Sequence, residues 1–202
     1  MPTAETPRNA DAAPPITDTE RQTASGKVLW HFTMSLDGFV AGPGHSMDWM
    51  TGIASRPGLI EEYTRTTGAV LGGRDGWDAY PDASATYGGQ WQGPVFVLTH
   101  RPEDLKPADG VTFLNCDVAE AVRIALDAAG GKNLEALSPS IGRQLLERGI
   151  VDEIDLHIAP VLLGDGIRLF DNPGGSPVRL GLVNGSDPSL VVNVRYRPAA
   201  AG

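Results

Sequence analysis

Residues 27–35, KVLWHFTMS, alternate, with Val28, Trp30, Phe32 and Met34 on one face and Leu29, His31, Thr33 and Ser35 on the other. A period of two predicts a strand with one strongly apolar face. The alternation stops in LDGFVAGPGHSMDWMTG, whose glycines and Pro43 mark a long loop exposing Asp37, His45, Asp48 and Trp49. PGLIEEYTRTT at 57–67 suits a short helix with Pro57 in its first turn, and GAVLGG is a compact buried strand ending in two glycines. RDGWDAY gives another helical turn. The Gly- and aromatic-rich loop PDASATYGGQWQG and the apolar strand PVFVLT follow it.

VTFLN is a further strand, after which Asp117 is placed to cap a helix over 118–129, with Glu120 three positions on and Gly130 as its stop. Val118, Ala121, Val122 and Ala125 form the apolar stripe of that helix. NLEAL is the next strand, and Ser138 the N-cap of a helix running to Arg148. Pro139 takes its first position, where a missing N–H does the helix no harm. VDEIDLHIAPVLLG is a long strand with Ile154, Leu156 and Ile158 on one face, and VRLGLVNG with SLVVNVRYRP reads as a closing hairpin. Strands alternating with helices, then antiparallel strands, predict one α/β domain over 27–202. Its central sheet is mixed but mostly parallel, flanked by helices and completed by an antiparallel hairpin.

Residues 1–26 carry four prolines and only Ile16 as a large apolar residue beyond Met1, too little to offset ordering entropy. They are read as a disordered N-terminal tail. The tail has no apolar run for a secretory signal, and Glu5, Asp11, Asp18 and Glu20 argue against a transit peptide. No uncharged apolar stretch elsewhere is long enough to span a bilayer, so a cytoplasmic protein without a membrane partner is expected. The formal net charge of -9 argues against a broad nucleic-acid surface, because the partner is itself a polyanion. Any anionic ligand must be held by a local cluster. Cys116, the only cysteine, excludes an internal disulfide and is read as a small core residue.

Ligands of open α/β sheets bind beyond the carboxyl ends of the strands. Those ends offer Ser35 to Asp37, Gly72-Gly73-Arg74, Thr99-His100-Arg101, Ser138-Pro139-Ser140 and Leu163 to Gly166. Three suit a phosphate: a cation after glycine, a hydroxyl beside two potentially cationic side chains, and a helix N-terminus over 138–141. On so acidic a chain that concentration points to a nucleotide-like ligand. Glu153, Asp155 and His157 share a strand face and in principle hold a metal; a polar face meeting solvent or a partner subunit explains them better, so no metal site is expected. Asp37 is either an Asx turn before Gly38 or a carboxyl in a partly dry cleft, its pKa raised, that donates a proton.

Four segments, MSLDGFVAGP with MDWM, VLGGRDGWDAY, FVLTHRP and above all GIVDEIDLHIAPVLLGDGIRLF, resemble the dihydrofolate reductase-like superfamily. The similar branch is the one related to the C-terminal reductase domain of bifunctional riboflavin-biosynthesis deaminase/reductases, and the resemblance spans 27–197. It implies a homodimer of single mixed-sheet domains that binds NADPH and transfers hydride to a small, often heterocyclic substrate. By position it would put Gly73 and Arg74 against the cofactor phosphates and Thr99, His100 and Arg101 around the adenosine 2′-phosphate. Ser138, Ser140 and Ile141 would lie at the pyrophosphate, and Leu162, Leu163, Gly164 and Gly166 beside the nicotinamide half. Ser35, Asp37, Asp48 and Trp49 would face the substrate.

Two positions depart from that pattern. Gly76 stands where relatives carry a Thr or Ser able to bond a phosphate, and LSPS replaces a Gly-Gly pair whose amides bind the pyrophosphate. Two readings result. One is an NADPH-dependent reductase of a C=N or activated C=C bond, with Asp37, Asp48 or an ordered water as proton source. The other is a repurposed relative with weakened dinucleotide binding, a small-molecule binder or cofactor-independent enzyme using the same crevice, lined by Trp49, Trp77, Tyr87 and Trp91. The features at 99–101 favour the first.

Overall fold

The computed structural model describes residues 26–183 together with Gln22, Arg195 and Tyr196. Apart from those isolated positions, the foreseen tail and the second arm of the closing hairpin lie outside the described residues. The elements, in order, are β1 (Val28–Ser35), β2 (Phe39–Ala41), α1 (Leu59–Thr66), β3 (Thr67–Gly73), α2 (Arg74–Ala79), β4 (Val95–Leu98), β5 (Val111–Leu114), α3 (Val118–Ala128), β6 (Asn133–Ala136), α4 (Pro139–Glu147), β7 (Glu153–Ala159) and β8 (Ile167–Arg168). From Gln22 to Pro173 the described residues belong to one compact unit. Gly174 to Val183 belong to a second unit and carry no helix or strand, so Val178 to Val183 do not form the strand foreseen for them.

Six strands form a sheet in the order β5-β4-β3-β6-β1-β7, every neighbouring pair parallel. Among the described residues the antiparallel pairing is the short pair β2–β8, with Phe39 opposite Arg168. The sequence reading placed β2 inside a loop, because glycines flank the three buried residues Phe39, Val40 and Ala41, and assigned no element to Ile167–Arg168. The expected helix at 57–67 is shorter, Leu59–Thr66. Gly58 precedes it at φ 81°, leaving Pro57 outside the first turn.

From β1 the chain skips a place, builds β3, β4 and β5 outward, and returns with β6 into the gap between β3 and β1. The carboxyl end of β6 is therefore the topological switch point, where an open parallel sheet has its crevice. Ser138 follows within two residues and caps α4, its Oγ accepting from Ile141 N–H at 3.4 Å. On α3 the stripe Val118, Ala121, Val122 and Ala125 is buried as its spacing requires. Asp117 caps it by accepting from Ala119 N–H at 2.9 Å, while Glu120 turns outward to Arg123 instead of closing a capping box.

Helix α4 lies very close to the sheet. A Cβ on Gly142 would stand 2.1 Å from the Trp30 ring, which is 1% exposed. Glycine at this place lets the helix settle on β1 and aims its N-terminus across the end of β6.

Candidate active site

A cleft of ≈ 1200 Å³ opens along the carboxyl edge of the sheet. Gly73, Arg74, Thr99, His100, Arg101, Ser138, Ser140 and Ile141 all line it, so the phosphate-suited positions of three separate strand ends converge in one place. Their present partners differ. Arg74 Nε reaches both carboxylate oxygens of Asp78 at 2.7 Å, and its Nη1 donates to the Arg101 carbonyl at 3.3 Å. Arg101 is 74% exposed and only 3.6 Å from Asp104, a pair too solvated to hold it. Thr99 is buried, and its Oγ1 accepts from Arg101 N–H at 3.2 Å.

The start of α4 offers fewer donors than a helix N-terminus ordinarily does. Pro139 has no N–H, Ile141 N–H is turned to Ser138 Oγ, and Gly142 N–H bonds the Ser138 carbonyl at 2.8 Å. Ser140 N–H is the helical amide left for a ligand. Ser138 Oγ also sits 3.0 Å from where a Cβ on Gly73 would be, so the hydroxyl packs down beside β3.

At the inner end of the cleft lies a polar cluster on the sheet face opposite α3. His31 and Tyr87 line the cleft and Glu135 lies beneath them, fully buried. Glu135 accepts from the Thr67 and Tyr87 hydroxyls, and its Oε2 is 3.0 Å from His31 Nδ1. His31 Nε2 faces His157 Nε2 at 3.1 Å, and its ring stacks on Tyr63 at 4.3 Å between centroids. Tyr63 donates in turn to Asp155, which also receives the Gln22 amide at 2.7 Å. Burial, with Glu135 beside it, pushes the Tyr87 hydroxyl far above its ordinary range; burial and Asp155 do the same to Tyr63. Glu153 pairs with Lys27, so the polar face of β7 is taken up within the chain, and no metal-holding group of three His, Cys, Asp or Glu occurs among the described residues.

A family model, RibD C-terminal domain, matches residues 26–189. The chain belongs to the RibD C-terminal domain family. It is 25% identical over 146 residues to the uncharacterized protein YwjB of Bacillus subtilis, covering 71% of this chain and 82% of that one. Among solved structures, a Shewanella sp. PV-4 protein provisionally named for riboflavin biosynthesis superposes with a TM-score of 0.62 at 20% identity, over 78% of this chain and 89% of the other. Dihydrofolate reductase from Enterococcus faecalis, solved with NADP(H), superposes with a TM-score of 0.52 at 12% identity, covering 81% and 92%. The fold is thus dihydrofolate reductase-like, as the resemblance implied.

Within this RibD-type domain several foreseen residues have other work. Asp37 does not line the cleft. Its carboxylate accepts from Ser35 Oγ at 2.6 Å, Leu163 N–H at 3.0 Å and Gly164 N–H at 2.7 Å, and these bonds, Ser35 first, push it down to about 2. A carboxyl held ionised is the reverse of a proton donor, so Asp37 serves as a latch. It pins Leu163 and Gly164 to the end of β1, away from the cleft wall together with Leu162 and Gly166. Gly166, at φ 135°, has no room for a Cβ, which would come 2.1 Å from the Ala41 carbonyl.

Ser35 is fully buried and spans Asp37 and Phe39 N–H, and Asp48 is exposed with Ser46 as its partner. Trp49 lies outside the cleft lining, Trp77 packs edge-on to Phe113, and Trp91 is core, its Nε1 donating to the Thr67 carbonyl at 3.0 Å. Of the aromatic residues foreseen for the crevice, Tyr87 lines it. Cys116 lines it too; burial, with Glu120 and Asp117 nearby, pushes its thiol up, so it stays protonated.

The latch predicts a pH signature. Asp37 ionises near 2 when folded against 3.8 as its ordinary value, so its contribution is complete above about pH 4 and lost as pH falls toward 2. Asp37→Asn is expected to lower the thermal midpoint at pH 7, and the gap to wild type to close between pH 4 and pH 2. A gap that stays constant over that window would refute the latch.

Sequence reasoning missed His31 and Glu135. The usable signal was the charged residue between Leu134 and Ala136 in the strand NLEAL, since an ionisable group at a fully buried position requires partners.

Proposed function

We propose that this chain is an NADPH-dependent reductase that delivers hydride to a C=N or activated C=C bond of a small heterocyclic substrate. One observation carries the reading: Gly73, Arg74, Thr99 to Arg101 and Ser138 to Ile141 converge on the cleft at the switch point of the sheet. The solved dihydrofolate reductase with NADP(H) and the riboflavin-biosynthesis link of the family support it. In this reading the dinucleotide supplies hydride. Arg101, exposed and weakly paired, takes the 2′-phosphate, and Arg74 exchanges its Asp78 partner for a phosphate oxygen, because an exposed ion pair of that kind is worth only about 0–1 kcal/mol. The buried polar end beyond Tyr87 receives the substrate ring. The same reading includes a homodimer and a cytoplasmic location, which sedimentation and fractionation test.

The helix start favours the second reading, a binder with weakened dinucleotide affinity, because Pro139 and the inward Ser138 hydroxyl remove two donors. Titration with NADPH and NADH, followed by melting temperature, separates the two. NADPH is expected to raise the midpoint at submillimolar concentration, and no response at millimolar NADPH would sink the reductase reading. Arg101→Ala is expected to weaken NADPH at least tenfold while leaving NADH nearly unchanged. Equal losses for both nucleotides would remove the 2′-phosphate from Arg101.

A further inference from the structure

Among the described residues the arginines that line the cleft are Arg74 and Arg101, which follow β3 and β4, and no lysine lines it. The other end of the cleft is built by β1, β2, β8 and the 43–50 turn, where Val40, Ala41, Met47, Met50 and Ile167 face the space. β6 lies between β3 and β1, so the two ends are about 10 Å apart, two strand spacings. Arg74 does not bridge that distance. Its guanidinium is committed to Asp78 and to the Arg101 carbonyl, on the side of β4. Cations nearer the apolar end are occupied elsewhere: Arg168 stacks 4.4 Å from the centre of the Phe39 ring and donates to the Asp37 carbonyl at 3.4 Å, Arg56 is paired with Glu62, and Lys27 with Glu153. None of the three lines the cleft.

The polar side chains of the apolar end are nearly all bonded within the protein. Tyr80 donates to the His45 carbonyl at 2.8 Å, Thr86 to the Ala83 carbonyl at 2.8 Å, and Tyr87 to Glu135. His31 has one ring nitrogen on Glu135 and the other on His157. Thr33 lines the cleft with no partner for its hydroxyl among the described residues, and the His45 ring is the other polar side chain left to bond there. The acidic side chains flanking this end are Asp37, held ionised two residues before β2, and Asp48, exposed between Met47 and Trp49. A phosphate or carboxylate brought here would lose water against aliphatic and thioether groups, meet no lysine or arginine, and lie near the Asp37 charge. Each of these is unfavourable. An uncharged flat molecule meets none of these costs and buries its apolar surface.

We propose that the substrate is an uncharged, flat, largely apolar heterocycle with one polar ring atom to place against Thr33, and that molecules carrying a phosphate or carboxylate are refused at this end of the cleft. The inference rests on the reductase reading for the reaction and names its substrate class. The ring seated beyond Tyr87 lies with its flanks against Met47, Met50 and Ile167, and the two thioethers conform to substituents of different shape. Recognition of anions is confined to the arginine end, so the dinucleotide's phosphates and the substrate do not compete for the same side chains. Selection at the apolar end comes from the charge it rejects as much as from the surface it holds.

The test uses the full chain with ¹³C-labelled methionine methyls at neutral pH and three probes: quinoxaline, an uncharged flat bicycle with C=N bonds; quinoxaline-6-carboxylate, the same ring with a charge; and ribose 5-phosphate. Met34, packed against the Trp30 cluster, is the internal control. Quinoxaline is expected to shift the Met47 and Met50 signals and to bind at least tenfold more tightly than its carboxylate, a difference of about 1.4 kcal/mol. Ribose 5-phosphate, free to meet Arg74 and Arg101, is expected to move neither signal. Met50→Lys is expected to reverse the order of the two quinoxalines, and Thr33→Val to weaken quinoxaline at least threefold. The substrate class is overturned by quinoxaline that moves neither methyl at millimolar concentration, by a carboxylate that binds as tightly, by ribose 5-phosphate that moves these methyls, or by an unchanged order in Met50→Lys. An unchanged affinity in Thr33→Val overturns the Thr33 contact. NADPH titrated into the same sample separates this inference from the reading beneath it. Methyl shifts with quinoxaline in a protein that binds no NADPH support the ligand class and overturn the reductase, whereas NADPH binding without those shifts overturns the class and leaves the reductase standing.

Discussion

A double variant, Ser138→Gly with Pro139→Gly, is expected to bind NADPH at least tenfold more tightly than the natural chain while melting at a lower temperature. The two effects have separate causes. Glycine at 139 restores one backbone N–H, and loss of the Ser138 hydroxyl frees the N–H of Ile141 and empties the space beside Gly73. A hydrogen bond to a charged acceptor contributes roughly 1.5–3 kcal/mol, and about 1.4 kcal/mol is a decade of affinity. Against this, removing a proline compatible with the first helical position lowers stability by about 0.4–1 kcal/mol through the unfolded chain, and exchanging a serine cap for glycine costs only a few tenths. Isothermal titration and thermal unfolding read the two quantities independently. Unchanged NADPH affinity would mean that the pyrophosphate does not lie at this helix start.

Gly142→Ala is expected to destabilise the protein by about 1–3 kcal/mol, the usual range for overpacking a well-filled core. The local propensity of a helix runs the other way, since alanine exceeds glycine by up to about 1 kcal/mol in a helix interior. Packing wins because the new methyl would fall 2.1 Å from the indole of Trp30, and that ring is too enclosed to turn aside. Urea unfolding measures the loss. A variant as stable as wild type would show that α4 can lift from β1, and NADPH affinity would then be expected to change with it, since the helix start moves too.

Much of the frame was legible in the chain because its elements carry strong local signals. The stripe of α3, the cap at Ser138 and the apolar runs of β3 and β4 are each set by a spacing or a single side chain. The phosphate-suited positions also came together, since strand ends in a parallel sheet necessarily share an edge. Illegible were features decided by distant partners. Asp37 reads equally as a donor or a turn residue until Leu163 and Gly164 close on it. Trp77 and Trp91 read as ligand-facing until Phe113 and Thr67 claim them. His31 looked like one polar residue on a half-polar strand face. Its meaning depends on Glu135 and His157, more than a hundred residues away in sequence.

The late return of β6 to the middle of the sheet also orders events in time. During synthesis β1 emerges first, yet its sheet neighbours are β6 and β7, so no strand made before residue 133 can dock beside it. The outer part, β3 to β5, can assemble from near neighbours, while β1 waits as an unpaired edge for most of elongation. The cleft and the buried polar cluster around Glu135 thus arise in one closing step, when β6 and β7 arrive. A ribosome-bound chain ending before that point would present neither, and the cell's folding machinery would meet its exposed first strand instead.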